Sequence, residues 1–296
     1  AMCGWSPPAR RVAILNLNPT SLSRARPALS LAAGPPVDFA KWIRGRLKEA
    51  KHAGIAHVVG SSKGTNYDRI PTLDATPSGS AYLHYTSNNT IFGTQFSGVP
   101  SSDVPLIADM SSDIFSRTFN PEAFHMIYAG AQKNMGPAGT VMYAFDRDAV
   151  GKTGRSIPSY LDLAVHASKD SMFNTPPVFP IYVSMLTMRW MHALGGVEVM
   201  EARNQRKSNL IYQEIDRNAL FEGHATMDSR SNMNATFRLK DDALGTAFDA
   251  LWKEAGINGL KGHRSVGGYR ASMYNALSES SVQVLVDVMK ELERSH

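Results

Sequence analysis

Three short apolar runs in the first half of the chain each break off at a group capable of chemistry, and this repeat constrains the fold most. "LHYTSNNT" reaches Thr90, "VPLIADMSSD" breaks at Asp109, and "AFHMIYAGAQK" ends on Lys133. Runs this short, bounded by polar turns, read as buried strands rather than helices. "TVMYAF" is a further strand, "WIRGRLKEAKHAG" a helix with a glycine stop, and "IAHVVGSS" a short strand after it. Alternating strand and helix predicts an α/β sheet, mostly parallel and covered on both faces.

After about residue 180 the pattern turns helical. "IYVSMLTMRWMHALGG" spaces its apolar residues as a helix does and stops at Gly195-Gly196, and "GGVEVMEARNQRKSNLIYQEID" continues as a long amphipathic helix. "MNATFRL", "LGTAFDALWKEAG" and "SSVQVLVDVMKELERSH" then read as strand, helix and helix of a small α+β domain. The expected organisation is an atypical segment 1–41, a large domain 42–195 and a small domain 196–296.

In an open α/β sheet, ligands gather at the carboxyl ends of the strands. Taken alone, an aspartate at a strand end is often a cap for the next element, and an isolated lysine usually faces solvent. Thr90, Asp109 and Lys133 together suggest more. A carboxylate can keep a pyridine nitrogen protonated, a lysine can form an imine with an aldehyde, and a hydroxyl can bind a phenolic oxygen. Those are the requirements of pyridoxal phosphate.

Composition narrows the alternatives. With 43% hydrophobic and 19% charged residues the chain reads as an ordinary globular protein, and no apolar run reaches the length of a membrane span. The net charge of +5 raises nucleic acid as a partner, but the cations are scattered among acidic residues from Asp38 onward, without an aromatic-lined basic stripe. Small anionic substrates account for the Arg and Lys excess equally well. The single cysteine, Cys3, excludes an internal disulfide framework and a cysteine-built zinc site; no metal is expected, and a reducing, cytoplasmic compartment fits. Residues 1–37 carry Arg10, Arg11, Arg24 and Arg26 with no acidic residue, a composition shared by transit peptides and tails.

"TSNNTIFGTQF", "ADMSSDIFSR", "YAGAQKNMGPAG", "SMFNTPPVF" and "GHRSVGGYRASMYNAL", in that order, resemble the phosphoserine aminotransferase family from about Trp42 to the C-terminus. The resemblance implies a fold type I, class V enzyme dependent on pyridoxal 5'-phosphate. It implies reversible amino transfer from glutamate to 3-phosphooxypyruvate, giving O-phospho-L-serine and 2-oxoglutarate in serine biosynthesis. Relatives also take a phosphorylated hydroxythreonine precursor of vitamin B6. By the same resemblance Lys133 would carry the cofactor as an imine and shuttle the substrate proton, and Asp109 would pair with the pyridine nitrogen. Thr90 would sit near the phenolic oxygen, Trp42 would stack on the ring, and Gln132 would help hold the phosphate. Asn174 and Thr175 would reach the phosphate of a neighbouring subunit, which implies a homodimer with shared sites. Arg270 would clamp the substrate α-carboxylate, with His263 and Arg264 facing the phosphate or distal carboxylate. The "GHRSVGGYRAS" cluster disfavours another class V substrate. Without the family context, two arginines on a loop would be read as solvated.

The family's part preceding the stacking tryptophan is much longer than the 41 residues here, and its substrate-binding His-Arg pair and phosphate-binding turn are not found in residues 1–41. Weaker cofactor binding is the expectation. The alternative reading is a shortened relative, weakly active or non-catalytic, that keeps the fold for dimerisation or binding.

Overall fold

The computed structural model describes residues 10–15, 37–38 and 55–296, apart from 152, 153, 155 and 265. Strand β1 (Arg10–Leu15) and the short parallel pair β2 (Val37–Asp38) and β3 (Gly60–Ser61) precede β4 (Leu83–Thr86). The hairpin of β5 (Asn88–Asn89) and β6 (Thr94–Gln95) follows, then β7 (Leu106–Asp109), β8 (Met126–Gly130) and β9 (Val141–Asp146). The main sheet has the order β1-β9-β8-β7-β4. Its functional half is parallel: β4 pairs with β7 and β7 with β8, placing Thr86 beside Asp109 and Asp109 beside Tyr128. β9 closes antiparallel on β8, and β1 antiparallel on β9. Segment 1–41, expected to be atypical, thus supplies an edge strand through "RRVAIL". The chain has the α/β fold expected from its sequence.

All of β7 and nearly all of β4 and β8 is buried, as continuous apolar runs require. Leu83, Tyr85, Ala108, Ile127 and Ala129 form the centre of one hydrophobic cluster. The connections differ from the expected strand–helix alternation: among the described residues no α-helix lies between β4 and β9. The reason is local. After β7 the polar side chains bond the backbone in turn geometry instead: Ser116 Oγ donates to the Asp113 carbonyl, and Asn120 accepts from the Glu122 amide ahead of Pro121. "IAHVVGSS" likewise is extended strand only at Gly60–Ser61. The helix expected at "WIRGRLKEAKHAG" lies outside the described residues.

The second half follows the sequence closely. After the short helix α1 (Leu163–Ser168), α2 (Val178–Ala193) stops where the two glycines stand, and α3 (Gly196–Arg217) begins there. Gly195 takes φ 109° and Gly196 φ 84°, a left-handed pair that side-chain-bearing residues resist. An antiparallel sheet of β10 (Phe221–Gly223), β11 (Asn234–Leu239) and β12 (Tyr269–Ser272) packs with α3, α4 (Gly245–Glu254) and α5 (Glu279–Ser295). The cap of α5 is Ser278, whose Oγ accepts from the Ser281 amide. Phe221, Phe237, Phe248 and Met289 centre a second hydrophobic cluster.

The two clusters meet where the β5–β6 turn presses on β11. Thr236 Oγ1 donates to the Phe92 carbonyl at 2.7 Å, and the Ser231 amide to the Gly93 carbonyl at 2.9 Å. Gly93 has φ 73°, and a Cβ there would lie 2.5 Å from Thr236 Oγ1 and 2.7 Å from the Asn234 carbonyl oxygen. Strain and clash therefore coincide at this contact. Gly93→Ala is expected to destabilise the chain by about 2–3 kcal/mol in urea unfolding, from left-handed strain plus overpacking. A loss under about 0.5 kcal/mol, the range of neutral surface changes, would show that the turn does not need this close approach.

Candidate active site

Asp109 ends β7, so the sheet itself delivers its carboxylate to the strand ends. The residue is 1% exposed, and its Oδ1 accepts the Ser111 amide at 2.9 Å. Ser111 Oγ in turn accepts the Gly130 amide at 3.1 Å, stitching the turn after β7 to the end of β8. On the other side, the Ser87 amide donates to the Asp109 carbonyl at 3.0 Å. The backbone of Asp109 is thus held from the β4 side, and the Ser111 amide that bonds its carboxylate is held from the β8 side.

Lys133 follows β8 in a tight turn closed by the Met135 and Gly136 amides, which both donate to the Ala131 carbonyl. The side chain is half-buried. Burial lowers its pKa below the ordinary lysine value; the carboxylates of Asp109 and Asp113 act in the opposite direction, and Arg270 adds to the lowering. Two carboxyl groups, an amine and a guanidinium therefore act on one another in a partly dehydrated space.

Asp113 was not singled out by sequence, because a carboxylate in a polar turn reads as solvated. Here it is buried, accepting hydrogen bonds from Ser87 Oγ and from Gln95 Nε2, with the Arg117 guanidinium 3.8 Å away. Burial pushes its pKa up, against the pull of Arg117, Ser87 and Gln95.

Thr90 occupies the turn between β5 and β6, half-buried, with its carbonyl accepting Arg270 Nη1 at 3.0 Å. Arg270 reaches it from β12. Its Nε is buried without a hydrogen-bond partner among the described residues, so that edge of the guanidinium can serve a ligand. The fold thereby assembles four of the sequence candidates, Thr90, Asp109, Lys133 and Arg270, from both clusters.

The others are placed as follows. Gln132 is exposed and folds back over Gly130, where a Cβ would lie 2.6 Å from its Oε1. His263 and Arg264 start a turn held by Gly262 N–H to the Gly268 carbonyl at 2.8 Å and Gly267 N–H to the His263 carbonyl at 3.0 Å. Gly267 and Gly268 take φ 79° and 58° in that turn, left-handed values that glycine adopts readily. Asn174 and Thr175 lie on the segment leading into α2, beside exposed Phe173, Val178 and Phe179. Trp42 lies outside the described residues.

The donor set fits pyridoxal phosphate. A lysine with a lowered pKa suits an aldehyde, a buried carboxylate suits a protonated ring nitrogen, and a guanidinium with a spare edge suits a carboxylate. Among the described residues no group of three His, Cys, Asp or Glu is placed to hold a metal ion.

The chain is similar to known proteins along most of its length. The sequence pattern of the aminotransferase class-V family matches residues 47–285. A phosphoserine aminotransferase of Flavobacterium psychrophilum is 57% identical over 257 residues, covering 87% of this chain and 72% of the relative. The solved phosphoserine aminotransferase of Bacillus circulans subsp. alkalophilus superposes with a TM-score of 0.90 at 38% identity, over 98% of this chain and 82% of that one. A pyridoxal-phosphate-bound phosphoserine aminotransferase of Trichomonas vaginalis superposes at 0.87 with 29% identity, over 96% and 83% of the two chains.

The lowered pKa of Lys133 has a defined sign in stability. Between that lowered value and the ordinary 10.5, the unfolded chain holds the proton that the folded chain has released, so stability rises with pH in that window. In the cofactor-free chain, competitive acetylation read by peptide mass spectrometry is expected to give Lys133 a pKa below that of the exposed lysines. Asp109→Asn, which removes an opposing anion, is expected to lower it further. A Lys133 value at or above the exposed lysines, or an upward shift in the variant, would contradict the assigned electrostatics.

Proposed function

The chain belongs to the class-V aminotransferase family, and from that premise we propose that it transfers an amino group reversibly between glutamate and 3-phosphooxypyruvate. The products are O-phospho-L-serine and 2-oxoglutarate. Relatives named for this activity are 57%, 55% and 48% identical over most of the chain. The observation that carries the reading is that Asp109 and Arg270 both act on Lys133, Asp109 from the end of β7 and Arg270 from β12 of the second sheet, with Arg270 tied to the Thr90 carbonyl at 3.0 Å.

Bound pyridoxal phosphate supplies an aldehyde carbon for amine exchange and a protonated ring that draws in the electron pair released at the substrate Cα. The protein's part is positioning and proton traffic. Asp109 would hold the ring nitrogen protonated, because a fixed, buried carboxylate stabilises a nearby cation far more than one in water. Lys133 Nζ would take the proton from the substrate Cα; its lowered pKa leaves more of the amine in the basic form near neutral pH. Thr90 would accept or donate at the phenolic oxygen, Gln132 would bind the phosphate, and Trp42 would cover the ring. The spare edge of Arg270 would hold the α-carboxylate, with His263 and Arg264 receiving the substrate's phosphate or distal carboxylate. The same anion sites suit a phosphorylated hydroxythreonine of vitamin B6 synthesis as a second substrate.

A homodimer completes this reading. Val178, Tyr182, Leu186 and Trp190 recur every fourth residue on α2 and leave one apolar stripe exposed. Asn174 and Thr175 stand just before that stripe, so a second copy seated on it would bring them toward the neighbouring cofactor phosphate. In the same reading residues 42–195 form the large domain and 196–296 the small one, after an N-terminal segment 1–41. A cytoplasmic location accords with the single cysteine, and no helix among the described residues is long and apolar enough to cross a membrane.

The test is steady-state turnover of O-phospho-L-serine with 2-oxoglutarate. The chain loaded with pyridoxal phosphate is expected to form glutamate, and Lys133→Ala to lose at least about 1,000-fold in kcat. Arg270→Lys, which loses the bidentate fork, is expected to raise KM about 10-fold or more. Comparable turnover of unphosphorylated serine would refute the phosphorylated substrate, and full activity in Lys133→Ala would refute the site.

A further inference from the structure

Three site segments converge on one buried residue that the reaction itself does not use. Asn275, 1% exposed, follows β12 and lies five positions beyond Arg270. Its backbone amide donates to Asn134 Oδ1 at 3.0 Å, and Asn134 adjoins Lys133. Its side-chain Nδ2 donates to the Phe115 carbonyl at 3.0 Å, in the turn that descends from Asp109. Its Oδ1 accepts Asn204 Nδ2 of α3 at 2.9 Å.

The partners are themselves anchored. Asn134 Nδ2 donates to the Ile114 carbonyl at 3.0 Å, and Asn204 Nδ2 also reaches the Ser116 carbonyl at 2.9 Å. Three consecutive carbonyls, of Ile114, Phe115 and Ser116, are therefore each held by a different buried asparagine. Phe115 has φ 56°, a left-handed conformation that a bulky side chain resists, so its carbonyl direction depends on what holds it. Lys207, fully buried, donates to the Met273 and Tyr274 carbonyls at 2.9 Å and fixes the strand exit just ahead of Asn275.

We propose that Asn275 is a positioning residue that holds the Arg270 strand, the Lys133 turn and the Asp109 turn at one fixed separation. The inference rests on the proposed roles of those three residues. The carboxylate clamp fixes where the substrate Cα lies, and Lys133 must meet that carbon. The two are carried by different hydrophobic clusters, and Asn275 bonds both sides at once. Its backbone N–H serves the Lys133 turn, while its side-chain Nδ2 and Oδ1 serve the Asp109 turn and α3, and no other side chain of similar size offers that donor and acceptor together. A network of this kind, satisfied throughout in a buried seam, rigidifies the parts it joins.

The test compares Asn275→Ala with Asn218→Ala. Asn218 is equally buried and bonds the Glu214 carboxylate and the Met289 carbonyl, far from the site segments in the bonding network. Asn275→Ala is expected to lower kcat about 100-fold with the glutamate KM within about 3-fold, as misplacement without loss of the clamp requires. Asn218→Ala is expected to lose comparable thermal stability while kcat stays within about 3-fold. Hydrogen exchange of the chain without cofactor gives a readout independent of turnover. Segments 110–116, 131–136 and 269–275 should all exchange faster together in Asn275→Ala, and keep wild-type rates in Asn218→Ala. Should Asn275→Ala not fold, Asn134→Ala removes the acceptor of the Asn275 amide and the donor to the Ile114 carbonyl, and is expected to show the same kcat-selective loss. Equal kcat losses in the two alanine variants, or unchanged exchange in the three segments, would overturn the proposal. Absence of amino transfer in the wild type would instead count against the reaction, leaving the exchange result to judge the positioning role.

Discussion

A carboxylate removed from water must be held by donors or cations, and Asp109 is that carboxylate. Its place is set by pairing: β4 and β8 flank β7 in parallel, so the strand ends line up and the turns leaving them share one space. Ser111 and Ser87 tie Asp109 to those neighbours through backbone amides. Lys133 and Arg270 face the same space, where Asp109 favours the lysine's proton and Arg270 opposes it. The sheet order, the serines after its strands and the approach of β12 all bear on where this one charge sits.

The second constraint is the seam between the two hydrophobic clusters. It is polar and specific where an ordinary core would be apolar: Asn88 Nδ2 donates to Asn234 Oδ1, Thr236 to Phe92, and Arg270 to Thr90. Polar seams give up some burial energy and gain a single defined geometry, because each buried donor left unmade costs about 1–3 kcal/mol. Gly93 lets the backbones approach closely enough for these bonds to form. The functional consequence is that the proposed clamp on β12 and the proposed base after β8 belong to one bonded seam.

Much of this was legible in the chain. The apolar runs before Asp109 and Lys133 identify β7 and β8, with β7 ending at Asp109 as expected and β8 ending earlier than expected, at Gly130. The glycine pair at 195–196 likewise marks a helix boundary. What sequence could not supply was the long-range part. Asp113 reads as a solvated turn residue until Ser87, Gln95 and Arg117 are seen around it. Asn275 lies within a recognised motif, yet its role depends on partners about 70, 140 and 160 positions away, as their spacing records. The connections between β4 and β9, expected to be helical, are turns among the described residues, since Ser and Asn side chains take backbone hydrogen bonds there.

The central claim is that Lys133 moves a proton at the substrate Cα while Arg270 holds that carbon in reach. Exchange of the α-hydrogen tests it without a complete reaction cycle. O-phospho-L-serine or glutamate is mixed in deuterium oxide with the chain loaded with pyridoxal phosphate, no keto acid is added, and the α-position is followed by proton NMR. The account predicts loss of the α-hydrogen signal with the wild type, and a rate lower by at least about 1,000-fold with Lys133→Ala. Exchange at an undiminished rate in Lys133→Ala, or no exchange in a wild type that carries the cofactor, would contradict it.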